Sequence, residues 1–583
     1  MNLKHGFAPE FATVKRFFVR YEQTAWFYPA LLGILCLVAL LPLAIPGIPS
    51  GHDIYFHLQR IEGLAAGLSD GTFPVRIYPG IAKTGYANGL FYPDLFLYFP
   101  ALLRLAGCPG IVAYKSFFVL LFLSSATSMY WCVKRISGKD FTAFAAALLY
   151  LFSSYTACDF WIRAALGEMQ CFVFLPLVLL GLYRIFYKDH RQFSPLVWGM
   201  TGIAMAHVIT FLIISLLIAV LCFFYTFRLL RSPRRLGSLT AAGMLTLLLT
   251  ACFFLPLLEM MRSDVFYVTT SVSMSPISTR TIPLTHLLLE LPYMKLEYWH
   301  PAGIGTIFGV LFFFRLRTKF PDSRRRRWQD TMLTAGVVML LCSTSFLPWE
   351  GLFSILSTIQ FPWRFYLPAL SCLAVGGALA VNALCHDNPN GRFRWLIGLF
   401  IGCGIAYFLS TGYLYTAKLY ERNFYYGGAL PVKASITSGH YLPDGTDLKL
   451  LSQTNPNVAT ILIGSAELAP LQRRNLTATL NYQDAAAGTV VEFPLIAYLG
   501  YRAELADGTI LPWRISEHNK LAVPLPPDRP TGSIHVFYHG TALQRLSGWI
   551  SATTLVLLLS VCFLLGKIKS SMRSDGGFRP KKV

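Results

Sequence analysis

Asp53, His57 and Arg60 stand at i, i+4 and i+7 in Ser50-Gly51-His52-Asp53-Ile54-Tyr55-Phe56-His57-Leu58-Gln59-Arg60, a spacing that puts all of them on one face of a helix. Such a face can hold a carboxylate base, an imidazole that shares its proton and a guanidinium that binds phosphate. The same residues also suit the polar side of a surface helix with Asp53 near its N-cap. Glu168, in Arg163-Ala164-Ala165-Leu166-Gly167-Glu168-Met169-Gln170, is a second candidate acid. An acid in a first helical turn gains roughly 0.3–1 kcal/mol from the helix dipole, so a structural role would explain it equally.

His207, in Ala206-His207-Val208-Ile209-Thr210, falls at a tight turn between apolar runs. Arg364, in Ile359-Gln360-Phe361-Pro362-Trp363-Arg364-Phe365-Tyr366, opens another run; its aromatic neighbours suit an interfacial belt and its guanidinium can clamp a phosphate or snorkel to the interface. Asp53, Glu168 and a histidine are also the donor types of a Mg or Mn site. The one Gly-x-Ser-x-Gly string, Gly67-Leu68-Ser69-Asp70-Gly71, closes a helix-compatible stretch at a turn and is not a strand-to-helix nucleophile elbow, and no dinucleotide fingerprint, Walker loop or CxxC pair occurs in a suitable context. A serine hydrolase and nucleotide cofactors therefore lack support.

The elements that must position these residues are membrane helices. The chain has 583 residues, 54% of them hydrophobic and only 14% charged, with a mean hydropathy of +0.51, which excludes an ordinary soluble enzyme and a disordered chain. Apolar runs predict about twelve spans of the roughly 20 residues a bilayer core requires: Trp26 to Ile45, then 110–133, 141–157, 169–187, 194–209, 210–228, 237–257, 302–316, 331–346, 366–384, 396–414 and 547–566. The first follows a basic leader, residues 1–25, and no small-x-small cleavage site follows it, so it reads as an uncleaved signal anchor.

With the N-terminus inside, the predicted cytoplasmic segments carry the whole formal net charge of +21. Basic clusters such as Arg324 to Arg327 are then topology determinants and anionic-headgroup contacts, with no nucleic-acid partner implied. Residues 46–109 face outward as a long loop with helices lying on the membrane surface. Residues 415–546 read as an extracytoplasmic β-sandwich, with strands at Ala459 to Ile463, Leu476 to Leu480, Val490 to Phe493 and Ile534 to Tyr538. No cysteine lies between Gly404 and Val561, so this segment has no disulfide framework. The final span is 547–566 and the basic tail 567–583 is cytoplasmic. The fold class is thus a polytopic α-helical membrane protein with a C-terminal all-β domain.

The arrangement resembles the GT-C class of membrane glycosyltransferases: an acid soon after the first span, another at the start of the fourth, and a C-terminal extracytoplasmic domain. His52-Asp53-x-x-x-His57-x-x-Arg60, Arg163 to Glu168, His207-x-x-Thr210 and Gln360 to Phe365 are also similar to bacterial YfhO-like proteins and to membrane proteins labelled 6-pyruvoyl-tetrahydropterin synthase-related. The zinc-binding histidine set of the soluble pterin enzyme has no counterpart here. The resemblance implies transfer of a sugar from a polyprenyl-phosphate donor to a cell-envelope glycan, lipid or protein at the outer face of a bacterial cytoplasmic membrane. It places Asp53 at the acceptor or a metal and makes Glu168 the second acid; with it, the residues' own chemistry suggests Asp53 as the base, Arg364 and Arg60 with Arg163 in reserve to neutralise the lipid phosphate, Glu168 to orient the sugar or a metal, and His57 and His207 to bind substrate. In relatives the acid after the first span acts at the acceptor or holds a metal. Two rival classes use the same polar residues: a transporter or flippase for lipid or lipid-linked sugar, and a non-catalytic envelope assembly protein.

Overall fold

The structure, a computed structural model, describes residues 24–47, 51–270, 277–284, 323–349, 359–387, 392–418 and 439–574. The chain divides into two compact units. One is built from residues up to 69, 94–239 and 273–435, the other from 70–93, 240–272 and 436 onward. The predicted outer loop 46–109 is thus shared between the units: helices Ile54–Ser69 and Tyr98–Leu105 belong to the first, and the stretch between them to the second.

Among the described residues five helices are long and apolar enough to cross a membrane: Gly110–Ser137, Leu166–Tyr187, Pro233–Ser263, Pro362–Ala383 and Ala542–Leu564. A bent pair, Asp140–Leu151 and Ser154–Arg163, makes a sixth if counted as one span. Helices also occupy the other predicted runs, several of them short, such as Phe27–Ala39, Ser194–Ala204 and Val208–Phe224. The run at 302–316 lies outside the described residues. The helix over the run at 331–346 starts earlier, at Ser323, so Arg324 to Arg327 form its first turns.

The 50° bend has a local cause. Ser153 restarts the helix by accepting a hydrogen bond from the Thr156 N–H on its Oγ, and the Thr156 hydroxyl donates to the Tyr150 carbonyl at 2.7 Å. Helices Leu166–Tyr187 and Ser194–Ala204 pack closely because Gly199 faces Val178, where a Cβ would come within 2.7 Å of backbone.

The second unit contains two antiparallel sheets. The strands are β1 (Thr460–Ile463), β2 (Glu467–Leu468), β3 (Gln472–Arg474), β4 (Thr477–Gln483), β5 (Val490–Ile496), β6 (Tyr501–Leu505), β7 (Ile510–Leu511), β8 (Arg514–Ile515), β9 (Lys520–Pro524) and β10 (Gly532–Tyr538). One sheet runs β1-β5-β9-β8; the other runs β2-β4-β10-β6-β7, with β3 paired to β4. Strand β4 alternates, with Ala478, Leu480 and Tyr482 inward, whereas β5 is buried at every position. The two sheets share one core with Ile77, Tyr86, Leu90 and Phe91 from residues 70–93 and with Met260 and Phe266. The Ile496 N–H donates to the Thr84 carbonyl at 2.7 Å.

Candidate functional site

Asp53, His57, Arg60, Arg163, Glu168, His207 and Arg364 all lie in the first unit, close enough for their charges to act on one another. Their placement begins with backbone. The segment before helix Ile54–Ser69 runs beside the end of helix Ser154–Arg163, the His52 and Asp53 N–H groups donating to the Ile162 and Arg163 carbonyls at 3.1 and 2.9 Å. Gly51 permits this approach, since a Cβ there would fall 2.2 Å from that of Ala164. Ala164 has φ of +50°, and this left-handed residue ends a π-helical stretch, Cys158–Arg163, before helix Leu166–Tyr187 starts.

Glu168 is 2% exposed and held from several sides. Arg163 forks onto it, Nη1 to Oε2 and Nη2 to Oε1, both at 2.9 Å. The Tyr155 hydroxyl donates to Oε2 at 2.7 Å, and Arg364 Nε lies 3.4 Å from Oε1. Arg163 Nη1 also reaches Oδ1 of Asp159 at 2.8 Å. Asp159 is fully buried, and its Oδ2 meets no donor among the described residues.

Arg60 and His57 are likewise engaged. Arg60, 1% exposed, donates from Nε to Oδ1 of buried Asp94 at 2.9 Å and forms an ion pair with it. His57 Nδ1 lies 3.1 Å from Arg60 Nη1, while its Nε2 accepts from the Leu166 N–H at 3.1 Å. A neutral imidazole accepts at one nitrogen only, so donors facing both nitrogens oppose a second proton. Burial above all, then the charges of Arg60, His207 and Arg163, hold the His57 pKa well below the usual histidine range. His57 is a fixed neutral group.

His207 caps helix Val208–Phe224, its Nδ1 accepting from the Thr210 N–H at 3.3 Å and lying 2.8 Å from the Thr210 hydroxyl. Arg364 Nη1 donates to the Ile359 carbonyl at 2.7 Å and to Gln360 Oε1 at 3.1 Å. Its guanidinium lies 5.1 Å from the centre of the Phe361 ring, and that of Arg280 lies 5.2 Å from the same ring.

Asp53 differs from the other acids. It occupies the N-cap position, its carbonyl accepting from the His57 N–H at 3.1 Å. Its partly exposed side chain makes no hydrogen bond or ion pair with another described residue. Burial raises its pKa above the usual carboxylate range, Arg163 and Arg364 pull it down, and Glu168 pushes it up.

Of the two acids that a Mg or Mn ion could use, Glu168 is fully engaged. Both Glu168 oxygens are taken by guanidinium and hydroxyl donors, and no group of three or more His, Cys, Asp or Glu able to hold a metal occurs among the described residues. Sequence reasoning missed Asp94, Asp159, Tyr155 and Arg280. Asp159 carried a signal, an acid just past the apolar run 141–157 and four residues before Arg163; Asp94 is 34 residues from Arg60 and carried none.

A family described as "6-pyruvoyl-tetrahydropterin synthase related domain; membrane protein" matches residues 90–401. Three solved structures are similar to the chain. ArnT from Cupriavidus metallidurans bound to undecaprenyl phosphate has 14% identity and a TM-score of 0.43, over 72% of this chain and 76% of that one. The arabinofuranosyltransferase AftD from Mycobacteria has 16% identity and a TM-score of 0.42, over 66% and 27%. The oligosaccharyltransferase AglB from Archaeoglobus fulgidus, in complex with an inhibitory peptide and a dolichol-phosphate, has 14% identity and a TM-score of 0.37, over 68% and 56%. No curated protein matches the sequence.

Proposed function

The chain belongs to the 6-pyruvoyl-tetrahydropterin synthase related family of membrane proteins, and we propose that it is a glycosyltransferase moving a sugar from a polyprenyl-phosphate donor to a cell-envelope acceptor at the outer face of the cytoplasmic membrane. The observation that carries this reading is the contrast among the acids of the cluster. Asp94 and Glu168 are locked by arginines, and Asp159 by one of its oxygens. Asp53 alone in this group keeps a carboxylate that nothing else in the cluster engages.

Asp53 is the general base for the acceptor hydroxyl, a role worth about 10²–10⁴ in rate. Glu168 sets the position of Arg163 and Arg364, which with Arg280 supply positive charge for the departing lipid phosphate. Arg60, paired to Asp94, orients neutral His57 beneath Asp53. The β unit binds the acceptor.

The test is release of polyprenyl phosphate from polyprenyl-phosphate sugars by purified protein, wild type against Asp53→Asn. Release that disappears in the variant supports the assignment. Donor movement across vesicle membranes without bond cleavage would instead establish a transporter.

A further inference from the structure

One turn fixes two of the cluster's arginines, and it does so with uncharged oxygens. The Phe361 N–H returns to the Ile359 carbonyl at 2.7 Å across Gln360. Gln360 has φ of +62°, which makes this the strained form of a γ-turn, uncommon for a residue of its type. The turn offers three acceptors. The Ile359 carbonyl also accepts from Arg364 Nη1 at 2.7 Å, and the Gln360 side-chain oxygen accepts from the same nitrogen at 3.1 Å. The Gln360 carbonyl accepts from Arg280 Nη1 at 3.2 Å. Phe361, held extended ahead of Pro362, stacks on Trp363 at 4.5 Å. The guanidiniums of Arg280 and Arg364 lie 5.2 and 5.1 Å from the centre of its ring.

The other arginines of the cluster are held differently. Arg60 is paired with Asp94, and Arg163 with Asp159 and Glu168. Neutral oxygens and a ring fix a guanidinium without cancelling its charge; the only acid set against Arg364 in this way is Glu168, at 3.4 Å from Nε. Backbone strain of this kind persists where the surroundings impose it, and it gathers at ligand clamps.

We infer that Gln360 is a positioning residue whose strained turn holds Arg280 and Arg364 as a pair with charge available to the phosphate of a polyprenyl phosphate. This rests on the reading of those arginines as the phosphate site. Gln360 acts through them: its amide oxygen sets Arg364 and its carbonyl sets Arg280. The pair recognises the anionic head and is indifferent to the isoprenoid chain.

The test is binding of polyprenyl phosphate to the purified full-length protein in detergent, with polyprenol as the uncharged control. Wild type prefers the phosphate. Gln360→Met keeps the length of the side chain and removes its acceptor. Gln360→Gly also relaxes the turn, because glycine adopts positive φ freely. Each weakens phosphate binding on the order of 10-fold, the size of one hydrogen bond to a charged group, and leaves polyprenol binding unchanged; Gln360→Gly does so without lowering Tm. Gln360→Glu retains the acceptor but sets a negative charge against Arg364, so it weakens phosphate binding at an undiminished Tm. Wild-type affinity for the phosphate in both Gln360→Met and Gln360→Gly overturns the inference and leaves the glycosyltransferase reading standing. A wild type that binds the phosphate no better than polyprenol overturns the inference together with the role given to the arginines. Phosphate-selective binding that the variants lose, in a protein that releases no carrier from any sugar donor, retains the inference and overturns the proposed function.

Discussion

Two groups of ion pairs, one from each unit, sit in opposite settings. In the helical unit, Arg163 sits between Asp159 and Glu168 with side-chain exposures of 10%, 0% and 2%. In the β unit, Arg529 pairs with Asp507 at 42% and 46%, and Arg474 with Asp70 at 72% and 18%. Exposed pairs contribute about 0–1 kcal/mol and are screened by salt. Burying charges costs several kcal/mol per ion, which mutual attraction repays only with good geometry, so an apolar replacement is often at least as stable. The helical cluster therefore has no advantage as a stabilising device over leucines of the same volume. Its value lies in the fixed field it presents to Asp53, the acid it leaves unengaged.

The largest stability effect that tests this contrast is removal of Arg163. Arg163→Met leaves two buried carboxylates without their shared cation and lowers stability by about 3–5 kcal/mol, read as a lower Tm in detergent. Tyr155→Phe removes one donor to Glu168 Oε2 and an acceptor 3.3 Å from Arg163 Nη1, and costs about 2 kcal/mol, the worth of a hydrogen bond to a charged group. Arg529→Ala in the β unit leaves Tm unchanged. A Tm drop for Arg529→Ala as large as that for Arg163→Met would erase the distinction between the two settings.

A pH profile sharpens it. Asp53 accepts a proton only when ionised, and its pKa is raised, chiefly by burial. Activity is therefore lost as pH falls through a value above the usual carboxylate pKa of about 4. Glu168→Gln removes a negative charge that pushes this pKa up, so the acid limb of kcat/KM moves to lower pH. A limb that stays put would detach Asp53 from the cluster.

Much of this architecture was legible because apolar length and alternation are local signals. The described spans, the strands β1, β4, β5 and β10, and the single face of Asp53, His57 and Arg60 follow from residue spacing. Arg163 and Glu168 came together readily, being five residues apart with only a helix start between them. Other features depend on tertiary structure. Asp94 becomes the partner of Arg60 only once helices Ile54–Ser69 and Tyr98–Leu105 pack on each other. The left-handed turn at Ala164 has no glycine or asparagine to announce it. Residues 70–93 join the β core through hydrogen bonds such as Ile496 to Thr84, across a separation in sequence that no periodicity reports. Asp159 was overlooked because it falls just past the apolar run 141–157 and before the segment that opens at Arg163, in neither element.

The central claim is that Asp53 performs the chemistry while the arginine-locked acids hold its surroundings. Its most direct test measures carrier release and Tm together for Asp53→Asn and Glu168→Gln. The account predicts that Asp53→Asn loses about 10²-fold or more in turnover at unchanged Tm, whereas Glu168→Gln lowers Tm because Arg163 and Arg364 lose their buried counter-charge. Turnover of Asp53→Asn at the wild-type rate would contradict it.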